Sequence, residues 1–476
     1  MMLVKPLVLD VGSNSIRLGI AGEEEPRIIL KNFVGVKKSA IQLRMVQGLI
    51  DEHGIELNKP AYFGLDALKR YIGLDIKNPF EGGKIHDEKN MKLILDHMLA
   101  YLNVTKPLGR HVIISHPTLA TERYIMFFIE YFMDDWSAMG ICLSPQPFLA
   151  FLANNQQITG LMVELGHSQI QIAAILKGHL IKDVDFSYGG NEVDDYFRQL
   201  ISSKVSSNEP INNVAPAIFI EKMKRSLCEI YPQLNLLEIK DDLSKTEKMR
   251  KRFILPDNSE VILGAERFLT HEILFRPELI GKEKSIPDMI YDVVESCDHD
   301  VRAPMYKNIF LSGGLARIPG ITERLIKELN FFVPPTIEPK ITIVCEDPAI
   351  ATWQGASKIA ISDKFQDICL SQSRYFAQEV IDINSVVYPT FQKLQIMSPP
   401  VHSFLAKIPL IYRDRNAIMI LKMVEKTNIL KFNDLTQYFN KPLNEIISMF
   451  LKLLAEGLIH GEILEGKGEF HKYRGL

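Results

Sequence analysis

The chain carries two similar hairpin patterns about 150 residues apart, and this repeat constrains its fold more than any other sequence feature. In the first, LVLDVGSNSIRLGIAG (residues 7–22), an aliphatic strand runs into Asp10 and Gly12 before a second apolar strand. The second, GLMVELGHSQIQIAAIL (residues 160–176), places Glu164 and Gly166 at the same spacing. Small polar tips let backbone N–H groups approach an anion, and a neighbouring carboxylate can hold a hydrated divalent cation. The duplication predicts two halves that clamp a phosphate in a cleft between them.

Helix and strand patterns alternate around these hairpins, which is typical of an α/β fold. After the second hairpin, residues 308–321 (NIFLSGGLARIPGI) read as a strand that ends in Gly313 and Gly314. A glycine pair at a strand end allows a flat ring or a phosphate to touch the backbone. The sequence contains neither a P-loop GxxxxGK[ST] motif nor a GxGxxG dinucleotide motif.

Composition limits the functional class only broadly. A length of 476 residues predicts two or more domains, and a net charge of −3 gives no general attraction to nucleic acid or anionic membranes. The five cysteines show no CxxC spacing, which favours a reduced intracellular compartment. We see no leader pattern and no apolar run long enough to span a bilayer, so we expect a cytoplasmic protein.

Several sequence segments resemble those of actin and the actin-related proteins, and the resemblance covers roughly residues 7–376. They are LPDNSEVILGAERF (255–268), LFRPELIG (274–281), CDHDVR (297–302) and YKNIFLSGG (306–314), in the order found in actins. The hairpins look like the two phosphate loops, and the segment beginning Trp353-Gln-Gly-Ala resembles the Trp-x-Gly-Gly near the end of the actin fold. Sugar kinases and chaperone ATPases share the phosphate loops but not these intervening words.

The resemblance implies an actin-like ATPase fold with two lobes, four subdomains and a duplicated sheet core. We expect this domain to cover residues 1–388, with subdomain 2 near 33–74 and subdomain 4 near 190–270. It further implies that ATP or ADP binds with Mg²⁺ in the central cleft, with slow ATP hydrolysis. We expect an archaeal or deep-branching member of the family.

Site residues carry over from the family by position. The nucleotide-binding residues would be Asp10, Gly12, Ser13, Asn14, Arg17, Gly166, His167, Ser168, Gly190, Lys224, Gly313 and Gly314. Asp10 and Glu164 would hold the water shell of Mg²⁺. The catalytic candidates are Gln146, which matches the glutamine that positions the attacking water, together with His167 and Gln171.

The chain departs from the family pattern at several of these positions. Arg17 stands where actins have a phosphate-binding Lys, and Arg225 stands where they have a Glu that meets the ribose. Glu164 and His167 each stand where actins have an Asp, and Gln171 stands where they have a His. A neutral imidazole cannot replace a carboxylate at Mg²⁺, although it can bond to phosphate or water. The sequence therefore supports nucleotide binding more strongly than rapid hydrolysis.

The remainder of the chain has a different pattern. Residues 389–411 are rich in Pro and Ser and read as a linker. Residues 412–476 read as helices over 417–426, 430–439 and 442–456, followed by a hairpin over 458–464 and 470–473. This order resembles a small α+β winged-helix domain. Its ten Lys and Arg against eight Asp and Glu favour a protein partner over nucleic acid, with a packing appendage as a third reading.

Two functions follow from the resemblance. The first is a cytoskeletal ATPase that forms or regulates filaments and recruits a partner through its winged helix. The alternative is a non-polymerising, nucleotide-switched adaptor or scaffold in a protein or nucleic-acid complex. Charged residues in PELIGKEK (277–284) make one filament contact of actins less apolar here. A small-molecule kinase is less favoured, because kinases of this fold lack the actin-like segments.

Overall fold

The computed structural model describes residues 4–52, 54–154, 157–204, 215–231, 249–254 and 260–377, together with three strands between 429 and 472. These residues divide into two compact units. The first contains the described residues up to 377, and the second contains the three C-terminal strands.

The structure contains strands and helices in a mixed order, as an α/β fold requires. The strands are β1 Leu7–Val11, β2 Ser15–Ile20, β3 Ile28–Lys31, β4 Val34–Lys37, β5 Ala61–Phe63, β6 Leu74–Lys77, β7 Phe80–Glu81, β8 Lys84–Ile85, β9 His111–His116, β10 Gly140–Pro145, β11 Gly160–Leu165, β12 Ile170–Leu176, β13 His179–Phe186, β14 Lys251–Ile254, β15 Glu260–Leu263, β16 Ile309–Ser312, β17 Ile341–Ile343, β18 Leu370–Ser371, β19 Ile429–Lys431, β20 Ile459–Leu464 and β21 Lys467–Lys472. The α-helices are α1 Ala40–Glu52, α2 Gly64–Lys69, α3 Glu88–Tyr101, α4 Glu122–Glu130, α5 Gln146–Ala153, α6 Gly190–Ile201, α7 Ala215–Leu227, α8 Glu266–Leu269, α9 Ile286–Glu295, α10 His299–Lys307, α11 Ile321–Leu329, α12 Ala351–Ala360, α13 Phe365–Ile368 and α14 Gln372–Phe376.

Two large sheets repeat one topology, which confirms the duplication read from the hairpins. The first sheet has the order β18-β10-β9-β1-β2-β3, and the second has the order β13-β12-β11-β16-β17. In each sheet an antiparallel run of three strands (β1–β3 or β11–β13) joins a parallel neighbour (β9 or β16) along its first strand. Both first strands are aliphatic and fully buried up to the carboxylate that ends each aliphatic run.

Helices α5 and α12 link the two sheets. They pack closely on each other, α12 contacts β1 and β9, and α5 contacts β11 and β12. Trp353 in α12 is fully buried, and its Nε1 donates to the carbonyl oxygen of Val8 at 3.1 Å. Because both helices carry small or apolar residues on several faces, the core is continuous between the sheets.

Two smaller structures lie where the predicted subdomains 2 and 4 were placed. Strands β4, β5 and β6 form a separate three-stranded sheet, and α2 covers it through Ala67. Helices α6 and α7 pack with the β14–β15 hairpin around a core of their own. The domain boundaries themselves remain predictions.

The C-terminal unit contains a three-stranded antiparallel sheet with the order β19-β21-β20. The β20–β21 hairpin lies near the predicted one, although its second strand begins at Lys467 rather than at residue 470. The helix predicted over 430–439 is wrong at its start, because residues 429–431 pair with β21 as a strand. The helices predicted over 417–426 and 442–456, the rest of 430–439 and the linker over 389–411 lie outside the described residues.

None of the helices in the described part of the chain combines the length and the apolarity needed to cross a membrane. All five cysteines are free thiols, and four of them are buried.

Gly355 in α12 lies so close to α5 that a side chain has no room there. A Cβ atom at this position would lie 1.7 Å from the carbonyl oxygen of Leu149. We expect Gly355→Ala to lower the free energy of unfolding by about 2 kcal/mol or more, because the two helices must separate. The measurement is chemical unfolding followed by tryptophan fluorescence.

Gly48 in α1 provides the matched control. No atom lies within 4 Å of its Cβ position, so Gly48→Ala is expected to be neutral or to stabilise by up to about 1 kcal/mol through helix propensity. A Gly355→Ala protein as stable as Gly48→Ala would contradict the close α5–α12 contact.

Candidate functional site

A cavity of about 840 Å³ lies between the two hairpin tips. Its walls come from both sheets, from α6 and α7 and from the turn after β16. All fifteen predicted site residues line it: Asp10, Gly12, Ser13, Asn14, Arg17, Gln146, Glu164, Gly166, His167, Ser168, Gln171, Gly190, Lys224, Gly313 and Gly314. The structure thus brings the predicted residues together, and their individual roles remain predictions.

The two hairpin tips have the same backbone geometry. A Cβ on Gly12 would lie 2.9 Å from the carbonyl oxygen of Ser15, and one on Gly166 would lie 2.5 Å from that of Gln169. Each glycine therefore closes its turn against a backbone oxygen three residues later, a contact that a side chain would obstruct. Asn32, which follows β3, stabilises the first tip, because its Nδ2 donates to the Gly12 carbonyl oxygen at 2.6 Å.

The second tip is held by the start of α6. The backbone N–H of Gly190 donates to the carbonyl oxygen of Gly166 at 3.1 Å. The backbone N–H of Asn191 donates to the carbonyl oxygen of His167 at 2.7 Å. The side-chain amide of Asn191 also donates to the Ser168 hydroxyl at 3.0 Å. A Cβ on Gly190 would meet the His167 ring at 2.9 Å, so the glycine is needed for the close approach of helix and tip.

Asp10 is almost fully buried, and protein donors occupy both of its carboxylate oxygens. Nη1 of Arg17 donates to Oδ2 at 2.8 Å, and the hydroxyl of Ser115 donates to Oδ1 at 2.6 Å. Ser115 also accepts the Val11 N–H at 2.9 Å, so it ties β9 to the end of β1. Ser115 was missed in the sequence, although a serine at the end of the apolar strand His111–His116 was a usable signal.

Glu164 has a different environment from its counterpart Asp10. Its Oε1 accepts from the Thr352 hydroxyl at 3.3 Å, and its buried Oε2 has no hydrogen-bond partner in the described structure. Burial, and after it the nearby charge of Asp10, raises the pKa of Glu164 to about 8. This environment favours the protonated carboxyl group over the carboxylate.

Gln146 and Gln171 form one buried hydrogen-bonded chain. Gln146 Nε2 donates to the Val11 carbonyl oxygen at 2.9 Å, and its Oε1 accepts from Gln171 Nε2 at 2.8 Å. The Gln171 oxygen in turn accepts the Thr118 N–H at 2.8 Å. Both ends of the Gln146 amide therefore bond to the protein, and its orientation is fixed by residues of both halves.

His167 and Lys224 lie on the α6–α7 side of the cavity. Burial lowers the pKa of His167 to about 4, so the imidazole is neutral at pH 7. Lys224 forms a short ion pair with Asp194 of α6, which sequence reasoning missed because the two lie thirty residues apart. A neutral His167 can bond to a phosphate oxygen or a water, but it adds no charge.

The two glycines after β16 have different surroundings. Gly313 has a φ of +85°, and a Cβ there would lie 2.4 Å from the Leu165 carbonyl oxygen. A Cβ on Gly314 would meet no atom within 4 Å, so this backbone faces open space in the cavity wall. Gly313 thus packs against the second hairpin, and Gly314 leaves a bare surface for a ligand.

One ion-pair cluster joins the two halves at the cavity. Lys31 of β3 donates to both carboxylate oxygens of Glu221 of α7, at 2.8 and 2.9 Å, and to Asn14 Oδ1 at 3.0 Å. Arg225, the position where actins have a Glu, also pairs with Glu221 at 2.6 Å. Lys31 and Glu221 were not predicted, because only the fold brings these distant residues together.

The geometry does not fit a magnesium ion held between Asp10 and Glu164. Mg²⁺ requires oxygen ligands with available lone pairs and benefits from anionic carboxylates. Here the Asp10 charge is matched by a guanidinium 2.8 Å away, and burial together with the Asp10 charge raises the pKa of Glu164. In the described part of the chain, no group of three or more His, Cys, Asp or Glu residues could hold a metal directly. The metal role of Asp10 and Glu164 stays a prediction that this arrangement does not favour.

The fold and the cavity together define a class: two duplicated α/β halves with a pair of phosphate-loop-like hairpins facing one cleft. Comparison with protein-family models agrees with this class, since the model of the Actin family matches residues 1–380. The chain belongs to the actin family, and the resemblance read from the sequence is confirmed. Family membership establishes an actin-like, nucleotide-binding type of protein.

His271, a cavity residue that sequence reasoning missed, gives a pH test of the site. Its ring is 2% exposed, Nδ1 has no partner within the described structure, and burial lowers its pKa to about 3. Because the folded-state pKa lies below the unfolded value, stability is lost as pH falls below about 6.5. Between pH 7 and pH 5, His271→Asn should lose about 2 kcal/mol less stability than the wild type. Denaturant unfolding at both pH values measures this difference.

His299, an exposed residue of α10, provides the control substitution. His299→Asn should leave the difference in stability between the two pH values as it is in the wild type. If His271→Asn behaves the same way, the ring is not held neutral in the folded protein.

Proposed function

We propose that the cavity binds ATP or ADP, with the phosphates between the two hairpin tips and the adenosine towards Gly314. The observation that carries this proposal is the matched pair of tips, in which Gly12 and Gly166 close equivalent turns on opposite sides of one cavity. Small residues at both tips leave the backbone accessible to an anion. Arg17 and Lys224 line the cavity beside the tips and carry N–H donors suited to phosphate oxygens.

The same geometry supports slow hydrolysis. An attacking water needs an acceptor or a donor to orient it, and the Gln146 amide already uses one N–H on Val11 and one oxygen lone pair on Gln171. His167 is a weak base, since its pKa is lowered to about 4. We therefore propose a protein that holds its nucleotide for long periods, with Gln146, His167 and Gln171 arranging the site rather than driving rapid turnover.

A charge placed at the second tip tests the nucleotide site. Ser168→Asp introduces a carboxylate beside the expected phosphates, and like-charge repulsion should weaken ATP and ADP binding at least about tenfold. Ser168→Asn introduces a side chain of the same size as Asp but without the charge. Isothermal titration calorimetry of the full chain measures both affinities.

The size-matched pair separates charge from bulk. Ser168→Asn is expected to bind much closer to wild type than Ser168→Asp. Equal affinities for the two variants would place the phosphates elsewhere, and a wild-type chain without nucleotide affinity would remove the proposal.

We further propose self-assembly into filaments as the cellular role, with the nucleotide-switched monomeric adaptor as the alternative. A stripe of apolar residues on α1 favours assembly: Ile41 and Met45 are 75% and 81% exposed, and Leu49 follows one turn later at 48%. In a family whose members self-assemble, the occupant of this stripe would be a second copy of the chain. Burying such side chains is worth roughly 1.5–3 kcal/mol each.

Sedimentation distinguishes the two roles. We expect the full chain to pellet with ATP and Met45→Glu to pellet far less, because a charge in the stripe opposes burial. Gln47→Glu adds the same charge to another face of α1 and should pellet like the wild type. A wild-type chain that stays in the supernatant over a wide concentration range would favour the adaptor.

The C-terminal unit is proposed as a winged helix that recruits a protein partner. The sheet order β19-β21-β20, with the two-stranded β20–β21 hairpin as the wing, supports this class. The tail's small positive balance makes nucleic acid the second choice. If nucleic-acid binding by the full chain disappears on removal of residues 412–476, the second choice is the correct one.

A further inference from the structure

We propose that the Arg17–Asp10 pair takes the place of a divalent cation at the first tip, with the remaining N–H donors of Arg17 available to the phosphates, so that ATP or ADP binds in this cavity without Mg²⁺. The inference rests on the nucleotide site proposed above and concerns which groups contact the phosphates there. It departs from the sequence-based expectation that Asp10 and Glu164 hold the water shell of a metal ion.

The strand register fixes Arg17 beside Asp10. The two residues are direct partners in the β1–β2 antiparallel pair, so their side chains leave the same face of the hairpin. Both strands are buried in the centre of the six-stranded sheet. The backbone pairing places Arg17 opposite Asp10, and the guanidinium bonds to the carboxylate at 2.8 Å.

Asp10 already accepts a protein hydrogen bond through each of its carboxylate oxygens. Arg17 and Ser115 take one carboxylate oxygen each, at 2.8 and 2.6 Å, and the Asp10 side chain is 3% exposed. A hydrated cation drawn to this carboxylate would lie next to a fixed guanidinium, which repels it. The site that attracts a divalent cation through a free aspartate is therefore already occupied by a side-chain cation.

Arg17 retains donors for a phosphate. A guanidinium has five N–H groups in a planar fork suited to phosphate oxygens. Asp10 accepts from one of them, on Nη1. Its Nε is buried and has no hydrogen-bond partner in the described structure. A guanidinium N–H without an acceptor is costly to bury, so the Arg17 side chain has hydrogen-bonding capacity that Asp10 does not use.

Three other acids of the cavity wall pair with protein cations. Asp66 pairs with Arg70, Asp194 pairs with Lys224, and Glu221 pairs with Lys31 and Arg225. Glu164, which accepts from the Thr352 hydroxyl, is the one acid of the described wall without a salt-bridge partner.

The test compares nucleotide affinity of the full chain in excess MgCl₂ and in EDTA, at matched ionic strength, by isothermal titration calorimetry with ATP and with ADP. For the wild type we expect dissociation constants that agree within about threefold in the two buffers. For Arg17→Met we expect weak binding in EDTA and at least about tenfold recovery with Mg²⁺, because Asp10 is released.

Arg317→Met is the matched control. Arg317 lies in the same cavity wall and pairs with Asp347, so its loss removes the same charge without freeing Asp10. Its affinity can fall, but the ratio between the two buffers should remain that of the wild type. Titration of Mn²⁺ into nucleotide-free protein, read by electron paramagnetic resonance, should show binding by Arg17→Met and none by the wild type.

The outcomes separate this inference from the proposed function. If the wild type loses more than about tenfold in affinity in EDTA, the site needs a metal and the inference is wrong, while nucleotide binding stands. If Arg17→Met shows no dependence on Mg²⁺, Arg17 is not the substitute. If no nucleotide binds in either buffer, the proposed function fails first. Should Arg17→Met not fold, the wild-type comparison alone decides.

Discussion

The contact between α5 and α12 is the constraint on which the rest of the structure depends. At Gly355 the backbone of α12 lies against the Leu149 carbonyl of α5, and Trp353 on the same helix bonds to Val8 of the first sheet. One helix contacts β1 and β9, and the other contacts β11 and β12. Because interiors of this density do not deform continuously, a shift at this contact moves one sheet relative to the other. The two hairpin tips end strands of these two sheets, so this contact helps to set the distance across the cavity.

Much of this arrangement was predictable, because it follows from local chemistry repeated twice. The strands before Asp10 and Glu164 are unbroken aliphatic runs, and a glycine two residues later permits the turn against a backbone oxygen. The spacing of apolar residues and glycines in such a hairpin specifies the strand register in the folded protein, since a shifted register would bury a polar residue. The duplicated sheets and the cavity between their tips were thus accessible from the sequence alone. The C-terminal residues 430–431 were not, because a short apolar segment fits a strand or a helix equally well.

What the sequence could not reveal is which partner each polar side chain takes. Ser115 comes from a strand more than a hundred residues from Asp10, and Thr118 meets Gln171 through its backbone rather than its side chain. Glu221 looked like an ordinary surface residue of α7, yet it joins the two halves through Lys31. Such pairings depend on distances of a few tenths of an ångström, which no pattern of residue types encodes. They decide the chemistry of the site, because a free and a bonded carboxylate attract different ligands.

The two hairpins have diverged at one equivalent position, and this divergence explains the character of the site. Arg17 lies opposite Asp10 in the first hairpin, and Gln171 lies opposite Glu164 in the second. Arg17 turns to its own acid and neutralises it, whereas Gln171 turns away to Gln146 and leaves one Glu164 oxygen without a partner. In the first half a side-chain cation is bonded to the acid, and in the second an amide stands at the position where the resemblance to actins places a histidine. Under the function proposed above, both differences favour holding a nucleotide over hydrolysing it, and they lie at the same place in a repeated fold.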